Sequence, residues 1–414
     1  MDRMKKGDNI NLFFVVEFVL CFLMVYGVLW NKPSITSNAF AISFITLIGE
    51  FVFQSFKIKE SKLLMQVSVI MAVSLICVAI SFIYNDKSVD FDSLKEYFIF
   101  LAAIIFMYLC CYIEINSRTM HFILKFNLVI GFMYYLAYKF APKINNFTVG
   151  LDFNFGNPNF AGMWIFQSLL YCTLAFLIYK QPIMRVISGT VVLLLLVMLN
   201  KTSARNCQIA YVLFIGICIW RTTKKSGKIS KKIIFLINVL PILFVFLYLN
   251  YIRVIIEKGW FSFLVSKGKS LDSRVKIWTR FFEKLGNRWV TGEYITCLGN
   301  SHNAHMVILC SYGLVTLILT IFFTYNVSTY VNEKASDKRN GYCLAAFFAT
   351  MFMGFGEGAL FAGGIGLYVM ACSYLCMSRF DFERFDIPDY EKGNIGLKRI
   401  YDDRLIKDKK RNLI

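Results

Sequence analysis

Apolar residues along this chain run on without the polar position at every second, or every third to fourth, residue that marks a half-buried strand or a surface helix. Solid apolar runs recur from residue 12 to residue 378, separated by short polar segments. A helix needs about 20 apolar residues to cross the hydrocarbon core of a bilayer. On that measure the candidate spans are 11–29, 39–56, 63–84, 97–115, 121–139, 160–179, 183–199, 206–220, 233–252, 305–327, 342–357 and 360–378. The pattern predicts an all-α, polytopic integral membrane protein with about twelve transmembrane helices. Two runs, 183–199 and 206–220, are short, and the last two are poorly separated, so the range is eleven to thirteen. A closed β-barrel would alternate apolar and polar positions, and these runs do not.

One segment breaks the pattern. In LDSRVKIWTRFFEKLG, residues 271–286, Arg274, Ile277, Trp278 and Phe281 recur at helical spacing, with Phe282 and Leu285 beside them. This predicts an amphipathic helix that lies on the membrane or caps a cavity.

Composition excludes a soluble protein. Of 414 residues, 57% are hydrophobic and 17% charged, and mean hydropathy is +0.57; a soluble chain of this length needs more charge to cover its surface. The formal charge of +19 is assigned to cytoplasmic loops under the positive-inside bias rather than to nucleic acid. RTTKKSGKISKK (221–232) carries six basic and no acidic residues, while NDKSVDFDSLKE (85–96) carries four acidic and two basic. Twelve spans with both termini in the cytoplasm place the first inside and the second outside. Residues 1–379 then form the transmembrane domain, with a large extracytoplasmic loop at about 253–304, and 380–414 form a cytoplasmic tail. Residues 11–29 read as a first span rather than a cleaved leader. The twelve cysteines show no ligand spacing and read as small buried hydrophobes.

This topology gathers residues 143–162, 199–206 and 253–304 on the outer face. Between Tyr251 and His302 lie nine Lys or Arg and four Asp or Glu. Long loops escape the charge bias, so the excess is either incidental or holds an anionic substrate. Arg274 and Arg205 are the candidate clamps, because a guanidinium binds phosphate through paired, charge-assisted bonds. Arg205 could alternatively anchor the interface. Arg280 and Arg288 fit the polar face of the amphipathic helix or the same anionic ligand. His302 is the candidate proton-transferring group, with His305 three residues on and sharing its face if the segment is helical. Two histidines at that spacing can bind a metal, but no Asp or Glu accompanies them, so no metal is expected. Charges within the spans are few, Glu17 and Glu50 being the clearest; Glu357 in GFGEGAL either lines the outer cavity or is a polar loop residue.

Four stretches resemble the polytopic bacterial O-antigen ligases and O-antigen or capsular repeat-unit polymerases. GNPNFAG (156–162) resembles that family's Asn-Pro-Asn-x-x-Ala/Gly turn, and TSARN (202–206) its Ser-Arg start to a span, with Ala204 intervening. SRVKIWTRFFEKLGNRWVTGEY (273–294) resembles its Arg-x-x-x-Trp segment, the Gly-rich turn reduced to Gly292. SHNAHMVILCSYG (301–313) is similar to its His-Asn segment, with Gly313 eleven residues after His302.

The resemblance implies a metal-independent glycosyltransferase of the bacterial inner membrane that uses no cofactor. Its donor would be a polyprenyl-pyrophosphate-linked oligosaccharide at the outer leaflet. The glycan would pass to an acceptor hydroxyl with inversion at the sugar. His302, Arg274 and Arg205 would be catalytic; Arg280, Arg288, Asn157, Asn159, Asn303 and His305 would bind substrate. Partners would be membrane lipid, a flippase and chain-length regulators, with no nucleic acid. Transfer to another lipid-linked repeat unit makes a polymerase, and transfer to a different acceptor a ligase. A glycolipid transporter is the alternative from another class; it predicts internal repeats and midspan charges.

Overall fold

The structure is a computed structural model. It describes residues 11–57, 61–89, 91–141, 150–223, 228–252, 254, 270–295, 297, 302–335, 337–358, 361 and 364–385. Much of the large loop, the 380–414 tail beyond Phe385, and parts of the 143–162 and 221–232 segments lie outside them.

The described residues form an all-α polytopic membrane protein. The helices are α1 (Leu12–Leu29), α2 (Pro33–Lys57), α3 (Lys62–Tyr84), α4 (Phe91–Tyr112), α5 (Ser117–Phe140), α6 (Pro158–Ile178), α7 (Pro182–Thr202), α8 (Arg205–Thr223) and α9 (Lys231–Leu247). After these come α10 (Ser270–Leu285), α11 (Ala304–Lys334), α12 (Lys338–Met353), α13 (Ile365–Met377) and the short α14 (Phe382–Phe385). Nine, namely α1 to α7, α9 and α11, are long and apolar enough to cross a membrane among the described residues. The shorter or less apolar α8, α12 and α13 pack among them.

Capping side chains set where the helices begin. Asn11, Ser61, Asn116, Asn157, Asn303 and Asp337 each accept a hydrogen bond from a backbone N–H in the first turn that follows. The first N–H groups of a helix have no partner within it, and near lipid no water replaces one cheaply. Pro158 follows Asn157 at the first helical position, where its missing N–H costs nothing. At the other end of α4, the Arg379 guanidinium donates to the carbonyls of Cys110, Cys111 and Ile113.

Hydrogen bonds between loops define two faces. On one, Asn154 Nδ2 donates to Leu29 O, Leu151 N to Lys201 O, Tyr97 N to Tyr294 Oη and Ala304 N to Gly354 O. On the other, Asn332 brackets the backbone of Ile229, Lys338 reaches Thr222 O, and Ser61 bonds Tyr112. The segments at 85–89, 150–157, 203–204, 288–297 and 354–357 therefore share one face, as the sequence predicts.

Two of the segments that carry the resemblance touch. A Cβ on Gly162 would lie 2.2 Å from Ala204 Cβ, and one on Gly150 would lie 2.3 Å from Thr202 O. The absent side chains let α6 and its preceding loop press against the α7–α8 turn. Helix α6 is buried almost all round, whereas α2, α7 and α8 turn residues such as Ile45, Phe53, Val186, Leu193 and Val212 outward. Those outer stripes are apolar because lipid covers them. Glu17 lies buried within α1, where its carboxylate accepts from the hydroxyls of Ser43 and Thr46 on α2.

Helix α11 breaks at Gly313, whose φ is 81° and ψ 174°. The segment after α10 fills the break: Glu293 N donates to Cys310 O and Leu314 N to Trp289 O, both at 2.7 Å. A Cβ on Gly313 would sit 2.0 Å from Val290 O, and one on Gly292 (φ 73°) 2.5 Å from Gly313 N. The two glycines interlock and fix the far end of α10 to α11. Gly313→Ala or Gly292→Ala incurs about 1–3 kcal/mol from the positive-φ backbone alone, and the overlap adds to it. Each should lower the thermal midpoint of the purified protein by several degrees. Gly216→Ala, in open space on α8, should leave it unchanged or raised. Equal midpoints for Gly313→Ala and Gly216→Ala would remove the interlock from the account.

Candidate functional site

The site is built on the turn after α12, at GFGE (354–357). Its backbone carbonyls point in different directions. Gly354 O accepts from Ala304 N at 3.0 Å, Phe355 O from Asn303 Nδ2 at 3.0 Å, and Gly356 O from Asn206 Nδ2 at 3.2 Å. One turn thus holds the starts of α11 and α8 together. Gly356 has no space for a side chain, because a Cβ there would lie 2.2 Å from Asn206 Nδ2 and 2.7 Å from Arg274 Nη1.

Asn303 is fully buried. Its Oδ1 accepts from the N–H groups of His305 and Met306, both at 3.0 Å. Its Nδ2 donates to Pro241 O at 2.9 Å and to Phe355 O. The amide therefore joins α9, α11 and the 354–357 turn. His302, immediately before it, adopts φ 52°. That left-handed step is uncommon for a residue with a Cβ.

Helix α10 brings the arginine. Val275, Trp278, Phe281 and Leu285 are buried on one side. The Trp278 ring meets Phe244 and Tyr248 at the end of α9 edge-on, with centroids 6.3 and 5.6 Å apart. A stripe of this kind binds the helix across the end of α9 through apolar burial, and Arg274 then falls at the 354–357 turn.

Three side chains converge on the Glu357 carboxylate, which is 2% exposed. Arg274 Nη2 donates to Oε1 at 3.4 Å and Asn206 Nδ2 to the same oxygen at 3.3 Å. His302 Nδ1 lies 3.2 Å from Oε2. A carboxylate removed from water needs a compensating charge and hydrogen-bond donors, and this set supplies both. A carboxylate only accepts, so Nδ1 of His302 is the donor in this pair, and the neutral tautomer that fits it has its lone pair on Nε2. Arg274 and His302 are about one-fifth exposed, so both reach the surface while Glu357 lies beneath. Nη2 binds Glu357, and the remaining Arg274 donors have no other hydrogen-bond partner among the described residues. A carboxylate that orients a histidine beside a cation can do general-base chemistry on an anionic substrate.

The other predicted residues lie as follows. Arg205 is exposed at the first position of α8, beside Asn206, and makes no side-chain hydrogen bond or ion pair among the described residues. Arg280 is exposed on the polar side of α10. Arg288 lies three residues beyond the end of α10 rather than on its polar face, and pairs with Glu293. Asn157 is spent on its cap, and Asn159, partly buried, follows it in the first turn of α6. His305 is buried in the first turn of α11, its Nδ1 without a hydrogen-bond partner among the described residues. Among those residues no group of three or more His, Cys, Asp or Glu could hold a metal ion.

Sequence reasoning missed Asn206. A signal was present: Cys207, Ala210, Tyr211 and Phe214 form the buried side of α8, and Asn206 shares a face with Ala210. Arg205 instead shares one with the exposed Ile209 and Val212. Comparison with models of protein families, with curated proteins and with solved structures returns no match.

The pairing itself can be measured. Arg274→Met and Glu357→Gln should each lower the thermal midpoint, and the double variant should fall no further than the worse single one. The expected coupling is about 1–2 kcal/mol, as for contacting groups in one network. Additive losses would show that the two side chains do not act on each other.

Proposed function

We propose that this protein is a membrane glycosyltransferase that moves a glycan from a polyprenyl-pyrophosphate carrier to an acceptor hydroxyl at the outer leaflet. The acceptor we favour is another lipid-linked repeat unit, which makes the protein a polysaccharide polymerase. The observation that carries this reading is the convergence of Arg274, His302 and Glu357, from three distant segments, on the face that also holds the 150–157 and 203–204 turns. Twelve crossings with both termini in the cytoplasm of a bacterial inner membrane put that face outside, in agreement with the basic 221–232 and acidic 85–96 segments.

In this mechanism Glu357 accepts the Nδ1–H of His302 and holds the ring. His302 Nε2 takes the proton of the acceptor hydroxyl as its oxygen attacks the anomeric carbon. The bond from that carbon to the pyrophosphate oxygen breaks, and the electron pair leaves on the polyprenyl pyrophosphate. Arg274 and Arg205 stabilise the charge that develops there. His302 then releases its proton to water. The activated donor supplies the driving force, so no nucleotide is consumed and no metal is invoked. The attack from the opposite side inverts the anomeric centre.

Purified protein in lipid, given polyprenyl-pyrophosphate repeat units, tests this reading. His302→Ala should slow chain extension about a hundredfold or more while the donor still binds. Arg274→Lys should rescue poorly, because it keeps the charge and loses the planar fork. His305→Ala should retain extension within severalfold. Normal extension by well-folded His302→Ala would reject the role assigned to it, and product appearing only on a different lipid or protein acceptor would make the enzyme a ligase.

Orientation has its own test in cells. In a cysteine-depleted variant, Lys87→Cys should react with an impermeant thiol reagent added outside and Lys228→Cys should not. The reverse labelling would turn the site toward the cytoplasm.

A further inference from the structure

A second polar site lies on the same face, where the outer end of α3 meets the segment after α10. It is a cleft of about 530 Å³ whose lining includes Tyr84, Asn85, Asn287, Arg288, Thr291 and Glu293. The Glu293 side chain is 2% exposed. Its carboxylate accepts from Ser81 Oγ at 3.0 Å and from Asn85 Nδ2, and pairs with Arg288. The Arg288 guanidinium also lies over the Tyr84 ring, 3.6 Å from its centroid. Glu293 N is tied to Cys310 O on α11. The floor is therefore fixed to two membrane helices rather than carried on a free loop.

We propose that this cleft is a carbohydrate subsite that holds sugars of the glycan away from the reacting end; the assignment of the ligand rests on the function proposed above. Three observations select a sugar. Arg288 on the floor is neutralised by Glu293, so an incoming anion meets one lining lysine, Lys284, and a carboxylate that repels it. The groups that remain both donate and accept: the Asn85 Nδ2 is committed to Ser81 O and Glu293 while its Oδ1 is not. The Asn287 amide is exposed, and the Thr291 hydroxyl makes only a 3.4 Å bond to Gly292 O. A ligand rich in hydroxyls matches that mixture. Tyr84 is 69% exposed, and the ring face opposite Arg288 offers an apolar platform with a polar edge to the C–H face of a pyranose. The spacing also fits. From Arg274 to Leu285 the helix rises about 16 Å, at ~1.5 Å per residue, the reach of a short oligosaccharide. Arg288, expected from sequence to meet an anion, thus becomes part of a sugar-binding floor.

The test is equilibrium binding to the full chain in nanodiscs of zwitterionic lipid. The probe is lipid-free oligosaccharide cut from the surface polysaccharide of the source cells, one to four repeat units long. Wild-type protein should bind it saturably. Tyr84→Ala and Asn287→Ala, at exposed positions whose loss should not unfold the protein, should each weaken binding about tenfold, or ~1.4 kcal/mol. Arg274→Ala should abolish chain extension yet leave fragment binding unchanged. No saturable binding to wild type, or equal binding by both cleft variants, overturns the subsite even if extension proceeds normally. Loss of affinity for anionic lipid headgroups instead of fragments in the cleft variants also overturns it, in favour of a lipid site. Fragment binding without any extension by wild type would leave the subsite standing and reject the transfer reaction.

Discussion

A buried carboxylate organises one end of this protein. Glu357 is closed off from water at the end of a helix bundle, where an unpaired charge would be severely penalised. It persists because Arg274, His302 and Asn206 arrive together. Those three come from α10, from the second residue before α11 and from α8, and none is near another in sequence. The demand of one anion for donors therefore fixes how three elements meet. In return, the carboxylate orients the histidine ring and holds the arginine at the surface.

The rest of the face serves that meeting. The carbonyls of residues 354–356 bind α11 and α8, the Asn303 amide ties α9 to α11 and to that turn, and the Trp278 stripe seats α10. The Gly292–Gly313 interlock pins the other end of α10 to α11. A site that must hold reacting groups to a fraction of an ångström needs such support, since small misplacements cost large factors in rate. The same helix runs from Arg274 toward the cleft at Glu293, so the Glu357 cluster and that cleft keep a fixed separation.

Much of the fold was legible in sequence because lipid imposes a simple rule. Each apolar run becomes a helix, and the observed bounds fall close to those read from the runs; 63–84 became Lys62–Tyr84 and 160–179 became Pro158–Ile178. The amphipathic spacing of Arg274, Ile277, Trp278 and Phe281 identified α10. Arg274 and His302 stood out as charged and titratable groups at the edges of apolar runs. What brings them together was not legible. Glu357 reads equally as a polar loop residue, since its role depends on a glycine turn folding under two other helix starts. Asn303 and Asn157 looked like ligand-binding amides, yet each is a helix cap. Local sequence does not say whether an asparagine faces substrate or its own backbone. Arg205 drew attention as a charge, while the neighbouring Asn206 makes the contact.

The central claim is that Arg274 and His302 face the two halves of one reaction. A cryo-EM map of the protein in lipid with a non-transferable polyprenyl-pyrophosphate glycan tests it most directly. The account predicts pyrophosphate density at Arg274 and the anomeric carbon within reach of His302 Nε2, on the face that carries Glu357. Pyrophosphate bound instead at the opposite face, among Lys231, Lys338 and their neighbours, would contradict it.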